Sequence, residues 1–198
     1  SSSLPDSTSQ QRVGSQLQKL RRSIMDLPLQ LTIRPAGRDD VDFIVPFSAA
    51  MAMETEQRRL DQARLREGTQ SLLSTPSLGF FMVAEVQIAQ RPVLVGQLMI
   101  TYEWSDWRNG VFWWIQSVYV VPHWRRRGVF RPMHHAVASQ AKADPKVCGI
   151  RLYVEEDNHS AETVYQRVGL ARSAYRVYED DFVLSKERPS QAHEKEVP

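Results

Sequence analysis

The sequence predicts an α/β domain built on a mixed sheet, and three observations carry that prediction. Between residues 80 and 121 the chain holds three runs rich in Val, Ile, Phe, Tyr and Trp, each bounded by turn residues. Asn109-Gly110 separates the last two, as a tight type I′ hairpin requires. After residue 121 the order becomes basic loop, helix, strand. Two strands joined through a helix must run parallel, so the sheet is antiparallel first and parallel at one place. The full order is β α α β β β α β α β, with room for one more closing strand. That gives six to seven strands, a parallel β4–β5 pair and about four helices.

In chain order, residues 1–27 are rich in Ser and Gln, with Leu17, Leu20 and Ile24 at helical spacing. This extension reads as disordered or as a short amphipathic helix. Its arginines, serines and scarcity of acids also fit a transit remnant. Residues 28–185 form the predicted domain. The first strand covers 29–35, where apolar and polar residues alternate. Asp39 or Asp40 caps a helix through Val41, Ile44, Val45 and Met51, which Pro46 should kink or interrupt. A second helix covers 61–73. Strands follow at 80–86, 93–104 and 111–121. A helix over 129–143 carries Val129, Met133, Val137 and Ala141 on one stripe, with Pro132 in its first turn. Then come a strand at 147–154, a helix at 160–168 ended by Gly169, and closing strands within 175–184. Residues 186–198 are a charged tail expected to be disordered.

Composition narrows the function. The chain has 198 residues, 42% hydrophobic and 24% charged, with a net charge of +2. That charge is too small for a general nucleic-acid or membrane-surface binder, and no run approaches the roughly 20 apolar residues of a membrane span. Cys148 is the single cysteine, which excludes an intrachain disulfide and reads as buried packing. No metal-ligand spacing occurs. A cytoplasmic monomer or homodimer is expected, with organelle targeting as the alternative.

One stretch concentrates chemistry. Val118-Tyr119-Val120-Val121-Pro122 ends a strand, and Arg125-Arg126-Arg127-Gly128-Val129-Phe130-Arg131 leads into a helix. A basic loop opening a helix suits a phosphorylated ligand, because first-turn amides lack partners and the helix dipole favours negative charge there. Thirty residues on, Asn158, Ala161, Tyr165, Gly169 and Leu170 follow the pattern Asn-x-x-Ala-x-x-x-Tyr-x-x-x-Gly-Phe, with Leu for the Phe. The two motifs, with one helix and one strand between them, resemble those of the GCN5-related N-acetyltransferase (GNAT) superfamily over residues 29–184. Phe130 departs from that pattern, which has Gly or Ala there.

The resemblance implies a GNAT fold and an acetyl-CoA-dependent N-acetyltransferase acting on a primary amine of a small molecule or a protein. It implies that Val118, Tyr119 and Val120 line the pantetheine as an extra strand would. The Val118 N–H would face the acyl carbonyl. Amides from Arg126 to Phe130 would hold the diphosphate, with Arg125, Arg126, Arg127 and Arg131 reaching its oxygens. Tyr165 would protonate the departing thiolate, and Asn158 would contact the coenzyme or cap its helix. Histone-acetylating members place a Glu at the position of Trp114. The base is therefore sought at Glu54, Glu56, Glu103 or Asp106, or in water held by Gln116 or Ser117. Trp104, Asp106, Trp113 and Trp114 around the hairpin suggest an acceptor pocket for a cationic or apolar amine. A coenzyme-binding module without catalysis is the alternative.

Overall fold

Alternating apolar residues build a five-stranded sheet over residues 30–155 and 158–184, the parts of the chain described by the computed structural model. Its strands are β1 (Leu31–Pro35), β2 (Gly79–Ile88), β3 (Arg91–Ser105), β4 (Gly110–Val120) and β5 (Val147–Leu152). They lie side by side in chain order, β1 to β4 antiparallel and β4–β5 parallel. The helices are α1 (Val41–Glu56), α2 (Gln62–Ser74), α3 (Phe130–Ala143) and α4 (His159–Arg167).

Two apolar layers sandwich the sheet. On one face α3 buries Met133, Val137 and Ala141 against Met82, Leu98, Ile100, Trp113 and Ile115. Each Val, Leu, Ile or Met side chain among them contributes about 1.5–3 kcal/mol on leaving water. On the other face Ile44 of α1 and Leu72 of α2 meet Phe81, Val83 and Leu94. Strand β4 is bulged near its middle. Met99 faces Ser117 while Ile100 faces Ile115, which leaves Gln116 as an extra residue without a partner of its own. Val111, Trp113 and Ile115 before the bulge, and Val118 and Val120 after it, all pack on the α3 side.

Several local expectations are corrected. The β3–β4 connection is not a two-residue turn. A 3-10 turn over Asp106–Arg108 is followed by Asn109 at φ 45°, and Gly110 already pairs with Ser105. Gly110 answers to packing, since a Cβ there would lie 3.0 Å from the Cys148 Cβ and 3.1 Å from the Lys146 carbonyl oxygen. Two consecutive positive φ values, the mark of a type I′ turn, occur instead at Ala89 and Gln90 between β2 and β3. Cys148 is only half-buried.

Pro46 does not interrupt α1. It lies on the exposed side of the helix, where a carbonyl deprived of its N–H partner reaches water. Asp40 stands at the helix start without capping it. Its carboxylate accepts from both terminal nitrogens of Arg34, at 2.8 and 2.9 Å, and from the Gly37 N–H at 2.7 Å. Asp61 does cap α2, accepting the Arg64 N–H at 2.7 Å.

No closing strand forms among residues 175–184, so the described sheet has five strands rather than six or seven. The Asp181 carboxylate accepts the N–H groups of Val183 and Leu184 at 2.8 and 2.7 Å, turning the chain where a ladder would continue. Tyr175, Tyr178 and Phe182 stay 78%, 92% and 76% exposed. The expectations for residues 1–27 and 186–198 lie outside the described residues.

Candidate functional site

Pairing between β4 and β5 ends at Ile115 and Leu152, while β4 continues to Val120 against β3 alone. The second half of β4 therefore has an open outer edge. The Val121 N–H donates to the Val95 carbonyl of β3 at 2.9 Å. Strand backbone groups alternate in direction, so those of Val118 and Val120 turn toward the open edge. The Val120 carbonyl accepts there from Arg125 Nε at 2.8 Å.

Beyond the edge the chain makes a 3-10 turn at Pro122–Trp124 and enters the basic loop. Arg126 at φ 60° and Gly128 at φ 80° flank Arg127, whose φ is negative. Alternation of this kind turns successive amides toward one side, a concavity that suits an anion. A Cβ at Gly128 would meet nothing within 4 Å, so the loop is open at its turn. Val129 precedes α3 without a side-chain cap, and the first-turn amides have no intrahelical acceptor. These features fit a diphosphate.

The arginines divide. The Arg125 guanidinium turns back, with Nη2 2.6 Å from Glu54 Oε2 in addition to its bond to Val120. Arg127 lies over the buried Trp124 ring, 4.4 Å from its centroid. Arg126 in the loop and Arg131 in the first turn of α3 are exposed.

Tyr165, on α4, meets the loop through a ring. Its ring centroid lies 5.7 Å from that of Phe130 in an edge-on arrangement, and burial pushes its phenol above the ordinary tyrosine range. Asn158 is committed to α4 as its cap, accepting the Ala161 N–H at 3.0 Å. Gly169 follows the helix at φ 91°.

The acceptor-side residues are split by the pleat. Trp113 and Trp114 are neighbours on one strand and point to opposite faces. Trp113 is 9% exposed in the α3-side core, against Phe80 and Tyr102. Trp104 is exposed, and Asp106 accepts its neighbour Trp107's N–H at the hairpin tip. Only Trp114 remains on the α1 face, stacked on Tyr153 with centroids 4.3 Å apart. The Trp114 indole N–H donates to Glu103 Oε2, and Arg151 Nη1 reaches Glu103 Oε1 at 2.7 Å. Arg151 also covers the Phe112 ring at 3.7 Å. Farther along the same face, Glu54 of α1 meets Arg125 and, at 3.5 Å, the Tyr119 hydroxyl.

The model of the Acetyltransferase (GNAT) family matches residues 47–170, which run from within α1 through the loop to beyond Tyr165. The chain belongs to the GNAT family. Among solved structures, this GNAT chain is similar to a possible acetyltransferase from Clostridium difficile 630, at 38% identity and TM-score 0.70, over 77% of this chain and 98% of the other. It is similar in fold to the aminoglycoside N-acetyltransferase AAC(6')-Iy in complex with CoA, at 11% identity and TM-score 0.64, over 79% and 98%. The ribosomal-protein-alanine N-acetyltransferase of Brucella melitensis biovar Abortus 2308 shares the fold at 15% identity and TM-score 0.58, over 77% and 99%. No curated protein matches the chain.

Family membership gives this GNAT domain acetyl transfer as its general chemistry. Among the described residues no helix is long and apolar enough to cross a membrane, and no three His, Cys, Asp or Glu side chains group as metal ligands. Arg151, Tyr153 and the Tyr119 hydroxyl escaped the sequence reading. The first two lie on β5 and just beyond it, and only the parallel β4–β5 register brings them beside Trp114. The alternation of β4 already contained the signal for Tyr119, since Val118 and Val120 flank it on the opposite face.

Proposed function

We propose that the chain transfers the acetyl group of acetyl-CoA to a primary amine by direct attack, with residues 28–185 as the acetyltransferase domain. The open β4 edge at Val118 and Val120, running directly into the Arg126–Gly128 turn, is the observation that carries this reading. Main-chain groups of Val118 to Val120 hold the pantetheine arm, and the Val118 N–H stabilises charge on the acyl oxygen. Amides of Arg126 to Phe130 bind the diphosphate, assisted by the exposed Arg126 and Arg131 side chains. The amine nitrogen forms a bond to the acyl carbon as the carbon–sulfur bond breaks. The thiolate takes its proton from the Tyr165 hydroxyl, which burial keeps protonated through neutral pH. The surplus proton of the amine leaves to solvent, and the Tyr165 phenolate takes one back from it.

The Trp114–Tyr153 stack forms the aromatic wall of the acceptor site on the α1 face. The acetyltransferases AAC(6')-Iy and ribosomal-protein-alanine N-acetyltransferase bear names of amine acceptors of both kinds, a small molecule and a protein. A panel of small amines and peptide N-termini is the direct test, read as thiol release from acetyl-CoA. Tyr165→Phe should lower kcat by about a hundredfold and leave acetyl-CoA binding in place, as loss of a general acid does. Coenzyme binding without turnover on any amine would instead establish the second reading, a non-catalytic CoA-binding module. One observation favours that module: Glu54 and Glu103, the carboxylates nearest the acceptor face, are each held by an arginine.

A further inference from the structure

Phe130 occupies the position at which the resemblance leads one to expect Gly or Ala, and its side chain is firmly placed. It opens α3 between Val129, 2% exposed, and the fully buried Met133 one turn on, and it packs against the core they belong to. Its ring lies 5.8 Å from His134, which is 6% exposed on the same helix. From that anchored position the ring meets Tyr165 edge-on, at 5.7 Å and an interplanar angle of 68°. This is the favoured geometry for two aromatic rings, positive edge against negative face.

Among the described residues Tyr165 has no second ring contact and no side-chain hydrogen bond, so its desolvated phenol is held by packing alone. No residue of α4 is buried, and the backbone bonds at its C-terminus are those of the helix end itself. No directional contact within this helix sets the phenol's place relative to the β4 edge. The ring of Phe130 supplies the missing constraint, because it belongs to α3 and moves only with the core and the diphosphate loop.

We infer that Phe130 is a positioning residue for Tyr165, its ring fixing the phenol against the loop that binds the coenzyme. The inference rests on the proposed role of Tyr165 as the acid. It also explains why a large side chain is accommodated at this position. The loop's amides serve the ligand through the main chain, while the Phe130 side chain turns the other way, toward α4.

A double-mutant cycle with Phe130→Ala and Tyr165→Phe, followed in kcat and in KM for acetyl-CoA, tests this. Phe130→Ala should lower kcat roughly tenfold, the scale of cost for a slightly misplaced catalytic group, with KM for acetyl-CoA essentially unchanged. Phe130→Tyr, which keeps the ring, should restore kcat. The double variant should be no slower than Tyr165→Phe alone. In the NMR titration of labelled tyrosine, the Tyr165 phenol should ionise at lower pH in Phe130→Ala, a readout independent of turnover. If Phe130→Ala misfolds, Phe130→Leu keeps the bulk and lacks the ring, and should reproduce the loss of kcat.

Three outcomes overturn the inference. A fall in KM for acetyl-CoA with kcat unchanged would mean that the ring merely obstructs the diphosphate. Additive losses in the double variant would mean that Phe130 acts independently of Tyr165. An unchanged kcat in Tyr165→Phe itself would remove the acid, and the positioning role with it. That last failure is told apart from the other two by the single tyrosine variant.

Discussion

The two sides of β4 offer a ligand different kinds of groups. At its outer edge and in the loop beyond it, the groups that face a ligand are main-chain amides. Their direction is fixed by a strand register, by the positive φ of Arg126 and Gly128, and by the start of α3. On the α1 face the polar groups are side chains that have found one another: Glu54 with Arg125, and Glu103 with Arg151 and Trp114. Main-chain groups held by a fold lose no rotamer freedom on binding, whereas paired side chains must exchange partners. On the proposed reading the donor side is organised in advance, and the acceptor side would have to exchange these partners to take its substrate.

Among changes in KM on the two sides, breaking the backbone geometry should have the largest effect. Gly128→Val forces a β-branched residue to φ 80°, at a cost of at least about 1–2 kcal/mol. The KM for acetyl-CoA should rise tenfold or more, with a smaller change in kcat, and steady-state kinetics measure both. An unchanged KM would remove the preorganised loop from the account. On the opposite face, Glu103→Ala releases Arg151 and the Trp114 indole N–H. The KM for the amine should change severalfold while that for acetyl-CoA stays constant. Urea unfolding should show a loss of no more than about 1 kcal/mol, since the Glu103–Arg151 pair is 40% and 32% exposed. A shift in the acetyl-CoA constant would show that the two sides are coupled.

One side chain on the donor side offers a test by pH. His134 is buried with Nε2 unpartnered, and burial, reinforced by the charges of His135 and Lys142, pushes its pKa below the ordinary value. The unfolded chain therefore takes up a proton more readily than the folded one, near pH 6.5. The folded state is favoured above that pH, and this contribution is lost as pH falls through the lower folded value. His134→Gln should flatten the dependence of Tm on pH below about 6.5. Equal slopes in the two proteins would assign the acid sensitivity elsewhere. The smallest effect is expected from Glu54→Gln, which keeps a hydrogen-bond acceptor for Arg125. At 41% exposure on both partners, the change in stability should be below about 1 kcal/mol. A kcat that fell by an order of magnitude in this variant would restore Glu54 as the base.

Legibility in the sequence divides along the same line. The loop and its strand could be read because Pro122, Gly128 and the spacing to Tyr165 are local. Helix α3 was equally plain, with Val129, Met133, Val137 and Ala141 four residues apart. The acceptor face could not be read in this way. Trp113 and Trp114 look like one cluster in the sequence, and the pleat sends one into the core. Arg151 reaches Glu103 across 48 residues, through a parallel register that no local pattern encodes. The turn chemistry misled for a different reason. Asn109-Gly110 has the residues of a two-residue hairpin, yet close approach of Cys148 and Lys146 uses the glycine for room. Ala89 and Gln90, without any such signature, adopt the turn that the short register between β2 and β3 imposes.

The single extra residue at Gln116 sets the phase of everything beyond it. Before it, odd-numbered residues of β4 look toward α3; after it, even-numbered ones do. Were Gln116 to take an ordinary place in the ladder opposite Met99 instead of bulging, Tyr119 would face the core and the Val118 and Val120 amides would turn inward to β3. The same letters Val-Tyr-Val-Val-Pro would still precede the arginines, and the motif would look intact. Half a pleat of slippage separates a strand that fits the proposed pantetheine site from one that does not.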